Sequence, residues 1–66
     1  MPKEWLIKLR QEAGLTQYDV ALRCGISHST YKQIERTDRI PSERIVQHIA
    51  DALKFDPNMF RAQEPE

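Results

Sequence analysis

The chain has a single cysteine, Cys24, among 66 residues. An intrachain disulfide is therefore excluded, and a reducing, cytoplasmic setting is the expected compartment. Helical spacing turns Cys24 inward, as a buried structural thiol. There are only two glycines, Gly14 and Gly25, so left-handed backbone is cheap at just two places. No apolar run approaches the length of a membrane span, and no signal peptide is seen. Net charge is also absent: ten basic side chains meet ten acidic ones, for a formal +0. That argues against a partner held by electrostatics alone. The two histidines, His28 and His48, stand twenty residues apart with no Cys or carboxylate set at ligand spacing, so no metal is expected. Adjacent Ser27 and His28 do not face each other on a helix, and there is no glycine-rich phosphate loop. The sequence therefore predicts no enzyme, no cofactor and no small-molecule ligand.

What is present is a run of helix signals and no strand signal, which predicts an all-α fold of five helices. Pro2 suits a first helical turn, after which Trp5, Leu6, Leu9 and Ala13 share one side and Gly14 supplies a left-handed stop. Thr16 and Asp19 have the spacing of a capping box, with Leu15 placed to staple onto Val20. This second helix turns Val20, Ala21 and Cys24 inward, leaves Tyr18 solvated, and stops at Gly25. Ser27 caps the third helix, with Ile26 and Tyr31 at staple spacing. Residues 37–41 form a loop anchored by Ile40. Ser42 caps the fourth helix, whose Ile45, Ile49 and Leu53 recur every four residues, with Val46, Ala50 and Ala52 beside them. Phe55, Asp56 and Pro57 supply a staple residue, an N-cap and a first-turn proline for a short fifth helix through about Arg61. One domain over residues 1–62 follows, with residues 63–66 a frayed tail. A core this small is marginal, so bundle packing or a dimer interface must supply stability.

The third helix carries the functional signal. At ~100° per residue, Thr30, Tyr31 and Ile34 fall on one side. His28, Ser29, Lys32, Gln33 and Arg36 fall on the other, with Glu35 at the boundary beside Tyr31. The outer face has no carboxylate and suits a DNA major groove. Gln33 matches the adenine edge, Lys32 can donate to guanine or to a phosphate, and His28 and Ser29 can each donate or accept. An ordinary solvated helix face is the competing reading. Charge is also segregated. Residues 1–36 hold six basic and four acidic groups, whereas residues 37–66 hold four and six.

Thr16-Gln17, Ala21, Gly25-Ile26-Ser27, Ile34-Glu35 and Pro41-Ser42 stand at the spacing of the Cro and lambda-repressor type helix-turn-helix regulators, which the chain resembles over roughly residues 4–60. The resemblance implies a compact five-helix DNA-binding domain with its helix-turn-helix over about residues 16–36. It implies a transcription regulator, of repressor type, that binds double-stranded DNA as a homodimer on a palindromic operator. It makes His28, Ser29, Lys32 and Gln33 the base readers. Gln17, Ser27, Arg36, Arg39 and Arg44 become phosphate or backbone contacts, with base contact also open to Gln17. It also implies a structural ion pair between Arg10 and Glu35. Two positions depart from the family pattern. Asp38 stands in the loop, where its charge is unfavourable near phosphate. Tyr31 is bulkier than the usual aliphatic residue, and is expected in the core with its hydroxyl at the rim. Met59, with Phe60 beside it, is a candidate dimer contact. A different reading makes the domain an antitoxin-like protein-interaction module in which DNA binding is secondary.

Overall fold

The computed structural model describes residues 2–62; the tail expected at 63–66 lies outside the described residues. Five helices follow in order: α1 (Glu4–Glu12), α2 (Gln17–Cys24), α3 (His28–Arg36), α4 (Glu43–Leu53) and α5 (Met59–Ala62), with no strand among the described residues. The all-α expectation is met. α2 is the hub: it packs against both α3 and α4, and α1 meets α3.

Local chemistry sets most of the boundaries. Thr16 Oγ1 accepts from the Asp19 N–H at 3.0 Å while Asp19 Oδ2 accepts from the Thr16 N–H at 2.9 Å. This reciprocal pair satisfies two N–H groups at the start of α2. Hydrogen bonding from the Thr16 backbone N–H first, and then from the Thr16 side chain, holds the Asp19 carboxyl below the usual carboxylate range. Ser27 and Ser42 accept from Thr30 and Ile45 N–H groups in the same manner. Gly25 has φ 70° and so turns the chain between α2 and α3 without a Cβ penalty. α4 stops on an unforeseen residue: Lys54 takes a left-handed φ of 58°, a conformation costly for any residue with a Cβ.

The core joins Leu6, Val20, Ala21, Cys24, Tyr31, Ile34, Val46, Ile49, Leu53 and Phe60. Two details differ from the sequence reading. On α4 it is Val46 that is buried, with Ile45 only half-buried, because the inward stripe drifts between the i+3 and i+4 rows of a 3.6-residue helix. Ala13 and Pro2 lie outside α1 and are exposed. The actual N-cap of α1 is Lys3. Beneath α4, Trp5 packs edge-on against Phe55 at 5.6 Å and Phe60 at 5.1 Å. These three rings seal the end of the core, each pair adding to simple area burial. Asp56 Oδ1 accepts from the Asn58 N–H at 2.9 Å, starting the turn that leads into α5.

Lys3 stitches α1 to the far end of α3. Its backbone N–H donates to the Glu35 carbonyl at 2.7 Å, and its ammonium donates to the carbonyls of Ile34, at 2.6 Å, and Thr37. Its own carbonyl accepts from the Leu6 and Ile7 N–H groups. A helix C-terminus leaves carbonyls without intrahelical partners and carries partial negative charge. A buried cation that donates to them answers both. Burial lowers the Lys3 pKa, and the negative charge of Asp38 opposes that shift. The loop acid that departs from the family pattern thus acts as a counter-charge within the fold.

Tyr31 is fully buried, with its hydroxyl in the core beside the Glu35 carboxylate but not in a well-formed hydrogen bond, and not at the rim as the sequence suggests. Burial first, and then Glu35, pushes its phenol pKa far above the ordinary 10.0. Burial also raises the Cys24 thiol from its usual 9.0. Acids with raised folded pKa values stabilise fully below their unfolded pKa, and that stability is lost as pH rises through the folded value. The Lys3 shift has the opposite sign. Its lowered folded pKa means that the penalty of burying the ammonium fades as pH rises toward 10.5. Wild type is expected to lose stability above pH ~10, with Tyr31 the main cause. Tyr31→Phe should flatten that alkaline limb and leave neutral-pH stability within about 1 kcal/mol of wild type. Urea unfolding at pH 8 and pH 11 checks this; an equally steep limb in the variant would remove Tyr31 as its origin.

Candidate nucleic-acid interface

The turn at Gly25 and the cap at Ser27 fix how α3 leaves α2. With Tyr31, Ile34 and Glu35 buried, the opposite side of the helix must face outward. His28, Ser29, Lys32, Gln33 and Arg36 are all exposed. Thr30, expected on the inner side, is exposed as well. Its hydroxyl lies 2.7 Å from Ser27 Oγ, so it belongs to the cap and not to the core. Arg39 and Arg44 are exposed around the loop that follows.

Glu35 is only 1% exposed, and three groups surround its carboxylate. Arg10 Nε stands 2.7 Å from Oε2, Arg10 Nη2 lies 3.5 Å from Oε1, and Gln17 Nε2 donates to Oε1 at 2.8 Å. Arg10 Nη1 also donates to the Leu15 carbonyl at 2.9 Å, just ahead of α2. The Arg10–Glu35 pair is formed, and one carboxylate ties α1, the start of α2 and α3 together. The sole acid of α3 is thereby removed from the outer face. Gln17 was expected to face DNA. The side chain is half-buried, and its amide nitrogen donates inward to Glu35.

Ser27 Oγ is committed to the Thr30 N–H at 3.1 Å. Phe60 is 2% exposed and enclosed by Trp5 and Phe55, so it has no surface left for a dimer contact. The hydrophobic staple that the sequence shows between Phe55 and Phe60 consumes it. Met59 keeps a half-exposed surface.

One group near this face was not anticipated. Tyr18 is exposed at 58%, as expected, but its ring meets that of His28 at 6.0 Å with planes 82° apart. Leu22, one turn further along α2, is 67% exposed. Periodicity gives no signal for either, because neither belongs to the buried stripe of Val20, Ala21 and Cys24. Among the described residues, no group of three or more His, Cys, Asp or Glu could hold a metal ion. No helix there is long and apolar enough to cross a membrane.

A capped helix, a left-handed glycine turn and a second capped helix with a polar, basic outer side define a helix-turn-helix domain. Comparison with known proteins agrees: a family model described as Helix-turn-helix matches residues 6–60. The chain belongs to that family, one of DNA-binding transcriptional regulators and not of enzymes. It is similar to an uncharacterized HTH-type transcriptional regulator, YqaF, of Bacillus subtilis (strain 168). The two are 38% identical over 60 residues, which is 91% of this chain and 79% of that protein.

Proposed function

We propose that this chain is a sequence-specific regulator, of repressor type, that lays α3 in the major groove of double-stranded DNA. The observation that carries the reading is the division of α3. Its one acid is 1% exposed and paired with Arg10, while His28, Ser29, Lys32, Gln33 and Arg36 stand in solvent. Gln33 and Lys32 carry the base-edge chemistry, with Ser29 and His28 at the helix start. Arg36, Arg39 and Arg44 neutralise phosphates on either side, and the backbone at the starts of α2 and α3 offers N–H groups to others. The name of the relative, a transcriptional regulator, supports the same role. A homodimer on a palindromic operator, with half-sites about one helical turn apart, lets two such small surfaces act together. Met59, half-exposed beside buried Phe60, is the residue this reading assigns to such a contact.

Binding-site selection from random duplexes, followed by anisotropy at several salt concentrations, tests this. Three arginines from each of two protomers give an expected slope of about −5 in log affinity against log salt. A selected site should show two related half-sites. A salt-independent association, or no selected sequence, would instead indicate a protein-interaction module.

A further inference from the structure

We infer that Tyr18 is a specificity-determining positioning residue, which holds the His28 imidazole in place to read a base edge. The inference rests on the major-groove reading above. His28 is the first residue of α3, directly after the Ser27 cap, where a helix aimed into the groove brings its side chains to base edges. Its imidazole can offer one donor and one acceptor, or two donors, according to protonation. A ring at that position, free to change rotamer, would present either a base contact or a phosphate contact. The Tyr18 ring restricts it. The two centroids are 6.0 Å apart with planes at 82°, inside the about 4.5–7 Å range of favourable edge-to-face pairs.

The pairing is not a by-product of core filling. Tyr18 is 58% exposed and sits in the first turn of α2, opposite buried Val20 and at the border of the buried stripe. A tyrosine left largely in water stabilises the monomer little, yet here its ring is spent on one contact with the outer face of α3. Gly25 turns the chain between α2 and α3 with φ 70°, and the ring contact joins the first turns of the two helices. Ordering the imidazole before binding removes part of the cost of ordering it on the DNA. The gain appears as discrimination at the one base pair that His28 addresses, not as general affinity.

The test compares wild type, Tyr18→Ala and Tyr18→Phe on the duplex chosen by binding-site selection and on duplexes with each base pair of a half-site replaced in turn. NMR of the free proteins reads the His28 ring protons. Tyr18→Ala is expected to shift those protons and to lower discrimination roughly 2- to 12-fold at one base pair per half-site, with the others unchanged. Tyr18→Phe keeps the ring and should restore both readouts. A uniform loss of affinity in both variants would make the Tyr18 hydroxyl a phosphate contact and overturn the inference. Unaltered discrimination in Tyr18→Ala, from a wild type that does select a sequence, would overturn it while leaving the DNA reading intact. A wild type that selects no sequence would sink both. Tyr18 is exposed, and circular dichroism is expected to show all three proteins equally helical.

Discussion

Glu35→Ala is expected to be the most damaging single substitution in the domain, and damaging to the fold before it affects DNA. The carboxylate is buried and receives Arg10 at 2.7 Å and the Gln17 amide at 2.8 Å. Removing it leaves the largely buried Arg10 guanidinium without its counter-charge. Breaking one side of such a pair costs about 3–5 kcal/mol, against a total of about 3–10 kcal/mol for a domain of this length. The melting temperature should fall by about 12–40 °C, read by circular dichroism at 222 nm. The contrasting variant is Arg10→Met with Glu35→Leu. It removes both charges together and should retain far more stability, since buried pairs are often replaceable by apolar groups of similar volume. Gln17, half-buried, can turn its freed amide to water. A loss below about 1 kcal/mol in Glu35→Ala would mean that the pair behaves like an exposed one.

Lys32→Ala combined with Gln33→Ala is expected to have the largest effect on recognition while leaving the fold intact. Both side chains are exposed and stand on the opposite side of α3 from Tyr31 and Ile34. Each good base contact is worth roughly 1–3 kcal/mol of discrimination. Together they should cost about 30-fold or more in the preference for a selected duplex over a scrambled one. Residual non-specific binding should persist, carried by Arg36, Arg39 and Arg44, with the salt slope reduced by no more than the share of Lys32. Anisotropy on the two duplexes, with circular dichroism as the control, decides it. A folded double variant that still discriminates would place the reading elsewhere.

These two outcomes rest on features of different visibility. The Thr16/Asp19 capping box, the Gly25 turn and the Phe55–Phe60 staple are local, so a few neighbouring residue types announce them. The outward set on α3 follows from period alone. The remainder depends on chain segments far apart in sequence. Lys3 reads as one more surface lysine until α1 brings it under the end of α3, thirty-one residues from Ile34. Nothing beside Gln17 in the sequence announces that its amide donates to the Glu35 carboxylate, eighteen residues on. Thr30 carries a helical phase that says buried, but its hydroxyl and N–H join the Ser27 cap and the residue is exposed. Lys54 shows how context overrides propensity: it takes a left-handed φ with no glycine to ease the turn, and the next residue, Phe55, joins the aromatic cluster.

The division of α3 also bears on how such a protein can change. Among the described residues, no hydrogen bond or ion pair within the domain uses the side chains of Ser29, Lys32 or Gln33. The frame that orients α3 is built from Lys3, Arg10, Gln17 and Glu35 on its other side. Preference for a DNA sequence and thermal stability can therefore vary independently at these three positions. Gene duplicates could acquire new targets through exchanges there, with no compensating change in the core. His28 is the exception. Because it leans on Tyr18, a new residue at either position changes the setting of the other, and the two are expected to be inherited together.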